Sequence, residues 1–140
     1  MVNWIFCSEF IDRARAHRGA KEWRLMQALC EYLDANRAFY HRVFAAEGQN
    51  CFTEYFSEFV ASVISEEVKK MFADQNEEDM AFYIGFYTDA FVMSIRKWIL
   101  KQEDISSRRF IHLLRTGLIH TSLAVLQRLP RGNEQQEENV

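Results

Sequence analysis

One proline and five glycines among 140 residues leave the chain little turn material, which argues against a fold of many short strands. Cysteine is scarce too. Cys7, Cys30 and Cys51 are odd in number, widely spaced and form no CxxC pair. They read as reduced, buried thiols of a cytoplasmic protein. No apolar run approaches the roughly 18 residues of a membrane span. Arg13, Arg15 and Arg18 come too late for the basic start of a signal peptide. Basic blocks are missing as well: residues 1–50 carry seven Lys/Arg against six Asp/Glu, residues 51–140 ten against fourteen, and the net charge is -3. That balance argues against a nucleic-acid surface within this chain. The expectation is a soluble, cytoplasmic domain.

Catalytic signatures are equally sparse. There is no Gly-rich phosphate loop, no GxSxG elbow and no HExxH pair. His17, His41, His112 and His120 lie too far apart for a local metal motif. His112 and His120, eight apart, share one face of a helix about two turns from each other, so a shared ligand would need help from another element. Solvated or interface histidines are the plainer reading. No convergent set of titratable groups can be assembled, so neither an enzyme nor a cofactor or metal site is expected.

What the chain does have is aromatic volume: twelve Phe, five Tyr and three Trp, within a composition that is 49% hydrophobic. That much ring surface must be packed in a core, an interface or a ligand cavity. The length suits a single domain, taken as 1–129, followed by a polar tail, 130–140, after Pro130.

Periodicity and punctuation divide the domain into six helices. The first covers about Val2 to His17, with Ile5, Phe6, Phe10 and Ile11 on one face, and Gly19 ends it. The second carries Trp23, Met26, Leu29, Cys30 and Leu33 at three- and four-residue steps and closes at Asn36. A short third helix holds Phe39, Tyr40, Val43 and Phe44, and Gly48-Gln49-Asn50 breaks the chain. The fourth, about Cys51 to Ala73, bears a wide stripe from Phe52 to Val68. Asn76 can cap the fifth, about Glu77 to Lys101, whose first turn is acidic. The sixth starts at Ser106 or Ser107 and runs to about Leu129.

The fifth helix is apolar nearly all round from Met80 to Ile99, a pattern that predicts burial on both sides. So short a chain cannot easily achieve that alone, and the expectation is a homodimer. Asp89 falls on one line with Phe82, Phe86 and Met93. It is either a polar anchor in a ligand cavity or a salt-bridged or rim carboxylate, with Arg96 a partner within reach. Gly85, Ala90, Ser94 and Gly117 point to close helix approach or to space left for a ligand. Phe56, Phe59, Tyr83, Phe86 and Tyr87, with Asp89, are the candidate lining of a pocket for a flat or greasy effector. Plain core is the competing reading.

Three stretches carry a resemblance to a known family. They are Val2-Asn3-Trp4-Ile5-Phe6; Asn36-Arg37-Ala38-Phe39-Tyr40 through Gly48-Gln49-Asn50 to Tyr55-Phe56; and Phe82-Tyr83 through Phe91 to Trp98-Ile99. Their order resembles the C-terminal regulatory domain of TetR-family transcriptional regulators, nearest the subgroup that includes the regulator of dihydroxyacetone kinase genes. The resemblance implies an all-α, six-helix bundle for effector binding and dimerisation. Its last two helices would pair across a two-fold axis as a four-helix bundle. The candidate interface is Phe91, Ser94, Ile95 and Trp98 with Leu114, Gly117, Leu118, Thr121 and Val125. Family members carry a DNA-reading helix-turn-helix N-terminal to this domain, so DNA binding is expected only of a longer parent. The effector would be a small apolar or aromatic molecule; the alternative is an adaptor that engages a protein co-regulator.

Overall fold

The computed structural model describes residues 2–11, 22–46, 50–101 and 104–120. All regular structure among them is helical. Helix α1 (Val2–Phe6) runs on into a π-helical segment, Cys7–Ile11. It is followed by α2 (Glu22–Ala35), α3 (Arg37–Ala45), α4 (Asn50–Met71) and α5 (Glu77–Lys101). Residues 107–120 form α6. The polar tail expected at 130–140, with the ends read for the first and sixth helices, lies outside the described residues.

The breaks between helices are made by the residue types that favour them. Asn36 separates α2 from α3: its backbone N–H still reaches the Tyr32 and Leu33 carbonyls, and its Nδ2 donates to the Tyr32 carbonyl at 2.9 Å. Asn76 caps α5, its Oδ1 accepting from the Asp79 N–H at 2.8 Å, and Glu77, Glu78 and Asp79 follow in the first turn. Ser106 does the same for α6, its Oγ accepting from the Arg109 N–H at 3.2 Å. Between α4 and α5 the chain turns on Phe72, whose ring lies flat on Tyr83 at 4.1 Å.

Helix α4 is the spine. Phe52, Phe56, Val60, Val63, Ile64 and Val68 repeat at three- and four-residue steps and are all buried, while Glu54, Glu58 and Glu66 face solvent. Helix α5 packs along it, with Thr88, Phe91, Ile95, Trp98 and Ile99 inward. Met26, Leu29, Cys30 and Leu33 of α2 close the core from a third side. Trp98 then ties in α6: its ring stacks on Phe110 at 4.5 Å and its Nε1 donates to the Ile105 carbonyl at 2.9 Å.

Among the described residues the single chain leaves one apolar face of α5 uncovered, as its length leads us to expect. Phe82, Phe86 and Met93 stay exposed at 66%, 58% and 46%, because α4 covers one face of the helix and nothing among the described residues covers the other. Among the described residues a Cβ built on Gly85 or Gly117 would meet nothing within 4 Å, so any close approach at these glycines is not to the described part of the same chain.

Candidate functional site

The six residues proposed as pocket lining fall into separate places. Phe56 is fully buried and Phe59 half-buried in an aromatic cluster beneath α1. Tyr83 is half-buried against Phe72, and Tyr87 lies beside Phe86, their centroids 5.4 Å apart at 89°. Phe86 and Asp89 are exposed on the outer face of α5. Asp89 thus takes the rim position. Arg96, offered as its partner, instead donates Nε to the Phe44 carbonyl at 3.3 Å.

The expected dimer residues divide in a similar way. Phe91, Ile95, Trp98 and Leu118 are buried in the chain's own core, and Ser94 and Leu114 are half-buried. Gly117 is exposed, and Thr121 and Val125 lie outside the described residues. The part of α5 left uncovered by the described residues is therefore the line through Phe82, Phe86 and Met93; Leu113 on α6 is 44% exposed as well. Phe82 and Phe86 lie nearly parallel, 6.4 Å between centroids. Helical spacing explains the inversion: both faces of α5 are apolar, and periodicity alone does not say which one α4 takes.

The aromatic cluster is the most specific feature of the interior. Phe6 of α1 sits at its centre with no exposed surface. Around it stand Phe10 at 5.5 Å, Tyr32 of α2 at 6.1 Å, Tyr40 of α3 at 6.4 Å, and Phe52, Tyr55, Phe56 and Phe59 of α4 at 5.7 to 6.2 Å. Most of these contacts are edge-to-face, the arrangement ring quadrupoles prefer. Reading by periodicity found Phe6, Phe56 and Phe59 but had no means of showing that the three meet.

Polar groups border the cluster. The Tyr32 hydroxyl donates to Glu9 Oε2 at 2.7 Å and lies 2.8 Å from the Tyr40 hydroxyl. Tyr32 has one hydrogen and the carboxylate can only accept, so Tyr40 donates to Tyr32. Burial and the nearby Glu9 carboxylate push Tyr40 up to about 12. Tyr32 is raised too, by burial first and by its bonds to Tyr40 and Glu9. Cys7 Sγ lies 2.8 Å from the Tyr55 hydroxyl. Both Cys7 and Glu9 belong to the π-helical segment. Cys30, at the centre of α2, is held strongly protonated by burial and the neighbouring Glu31 and Asp34 carboxylates.

Elsewhere, an open groove of about 400 Å³ lies between the end of α4 and the start of α5, lined by Lys69, Gln75, Glu77, Met80, Ala81 and Ile84. Among the described residues no three of His, Cys, Asp and Glu are placed to hold a metal ion. No described helix is long and apolar enough to cross a membrane.

The TetR C-terminal family described as "Transcriptional regulator C-terminal region" matches residues 21–119, which is α2 through nearly all of α6. The chain belongs to that family. No curated protein and no solved structure matches it. Membership makes the domain one of a class of transcription regulators, all-helical, in which effector binding and dimerisation are typical.

Proposed function

We propose that this chain is the effector-binding and dimerisation domain of a TetR-like transcriptional regulator, with operator contacts made by helices N-terminal to α1. The observation that carries the dimer is the uncovered face of α5. Two phenyl rings exposed at 66% and 58%, one turn apart on the same line, are costly to leave in water and ready to meet their own symmetry mates. Gly117 on α6, open to solvent, would let a partner backbone approach closely. Within the family the Asn36–Tyr40 and Asn50–Phe56 stretches support a place near the dihydroxyacetone kinase regulator subgroup.

The mechanism is a population shift. An effector that binds one arrangement of α1 better than another changes the spacing of whatever DNA-reading helices α1 carries. Such heads must meet half-sites about one DNA turn apart, so small displacements of α1 suffice.

The same exposed face supports a second reading, a docking surface for a protein co-regulator. Molar mass by light scattering from micromolar concentration upward separates the two. A stable dimer of the 16.6 kDa chain supports the regulator reading. A strict monomer overturns the dimer and leaves the face for a different partner.

A further inference from the structure

We propose that the charges on the exposed face of α5 admit a second copy of this chain in one antiparallel register, with the two-fold axis crossing the helix between Tyr87 and Thr88. The inference rests on the reading of that face as a dimer surface, and it names what makes the surface select its own kind.

The face is graded along its length. Glu78 and Asp79 stand at its start, Arg96 and Lys97 at its end, and the apolar line of Phe82, Phe86 and Met93 lies between them. All are exposed, and at about 100° per residue all fall within about 60° of the Phe82 direction. Two such faces laid side by side in parallel would set carboxylate on carboxylate and cation on cation, which is costly across an interface. Reversed, each acidic end meets a basic one.

The apolar residues then fix the register. Phe82 and Met93 lie on nearly one line, about 16 Å apart along the helix. Setting Phe82 against Met93 of the partner subunit places the axis midway, between Tyr87 and Thr88. The same register brings Glu78 level with the partner's Arg96, and Asp79 level with the partner's Lys97, each to within about one residue's rise. A slide of one turn breaks the match. In one direction Phe82 faces the partner's Asp89 and Met93 the partner's Glu78. In the other, Phe82 faces the partner's Lys97 and Asp79 the partner's Leu100.

A two-fold axis also keeps each side chain on its own side of the contact. Glu78, Asp89 and Arg96 lie to one side of the line from Phe82 to Met93, and Asp79, Phe86 and Lys97 to the other. Glu78 is thus on the side of the partner's Arg96, and Asp79 on that of the partner's Lys97. Phe86 meets its own symmetry mate beside the axis. So does Asp89, and that carboxylate pair is the one repulsive element, a brake on affinity. Arg96 already donates Nε to the Phe44 carbonyl, so the pair of Asp79 with the partner's Lys97 gives the cleaner test.

The test is a charge exchange on the full chain, read as the dimer dissociation constant by light scattering, with circular dichroism checking helicity. Asp79→Lys and Lys97→Glu should each dimerise about tenfold or more weakly than wild type, because each sets like charges together. Mixed, the two variants complement each other, and a dimer near twice 16.6 kDa should return. Asp89→Asn leaves the charged ends alone and reads the register independently; it should dimerise about twofold to fivefold more tightly. Single variants that pair as tightly as wild type, or a mixture no better than either alone, overturn the register. So does an Asp89→Asn dimer no tighter than wild type. The mass of the wild type tells the two failures apart: a wild-type dimer with these results refutes the register alone, and a wild-type monomer refutes the dimer and the register with it.

Discussion

Arg37 holds the end of α5 through Trp98, with a longer bond to the Ile99 carbonyl at 3.4 Å. Its guanidinium lies over the Trp98 ring, 4.8 Å from the centroid, while Nη1 donates to the Trp98 carbonyl at 2.8 Å. Asp34 fixes the other side of the fork at 3.1 Å. The last carbonyls of a helix have no partner within it and carry its negative dipole end, so a planar cation is well suited to the position. A second cation, Arg96, reaches from α5 to the Phe44 carbonyl at the end of α3. The two arginines thus clamp α3 and α5 in both directions.

Arg37→Lys keeps the charge but loses the fork and the flat face. It should cost about 1–2 kcal/mol, and Arg37→Ala about 2–3 kcal/mol, as a charged bond to buried carbonyls and a cation–π contact are removed. Urea unfolding followed by circular dichroism checks both. Equal losses for the two variants would mean that the charge contributes nothing.

Much of this frame is legible in the sequence. Asn76 and Ser106 cap helices because a short side-chain oxygen can reach the third N–H, and the residue type alone announces that. The stripe from Phe52 to Val68 announced α4, and the bounds read for α5, about Glu77 to Lys101, coincide with those observed. The site was far less legible. Periodicity assigns a residue to a face but does not name the neighbour across it. Phe56 and Tyr83 therefore looked like parts of one pocket when one packs under α1 and the other on Phe72. The π turn was invisible too, because its extra residue leaves the apolar spacing of Phe6, Phe10 and Ile11 readable as a plain helix.

Phe86→Glu places a charge in the middle of the exposed line on α5. Since Phe86 is already 58% exposed, the fold of the single chain should tolerate the change with little loss of helicity. A dimer built on that face should not, because two charges would meet near its axis. Light scattering should show wild type near twice the chain mass and the variant at once. A variant that remains dimeric moves the interface off this face.

Alkaline pH should unfold the protein through its buried phenols. Tyr40 is raised from about 10 to about 12, so the folded state favours the neutral phenol. That contribution is fully present below pH 10 and is lost as pH rises through 12. Tyr32 shifts in the same direction. Stability measured by urea midpoint should therefore fall across pH 10–12, and the fall should be shallower in Tyr40→Phe. An identical slope in the variant would assign the alkaline transition to other groups, Cys30 first among them.

Thr88 offers the sharpest test of packing. It is 4% exposed on the inward side of α5, and among the described residues its Oγ1 has no hydrogen-bond partner. A hydroxyl taken out of water and left unpaired costs about 1–3 kcal/mol. Thr88→Val keeps the branched shape and removes the unpaired group. It should stabilise the protein by about 1 kcal/mol, seen as a higher urea midpoint at an unchanged slope. The sign is informative because Thr→Val in a core normally destabilises when the hydroxyl is bonded. A lower midpoint would show that Thr88 finds a partner in solution, which would have to come from a rearrangement of the α4–α5 interface or from a water lodged within it.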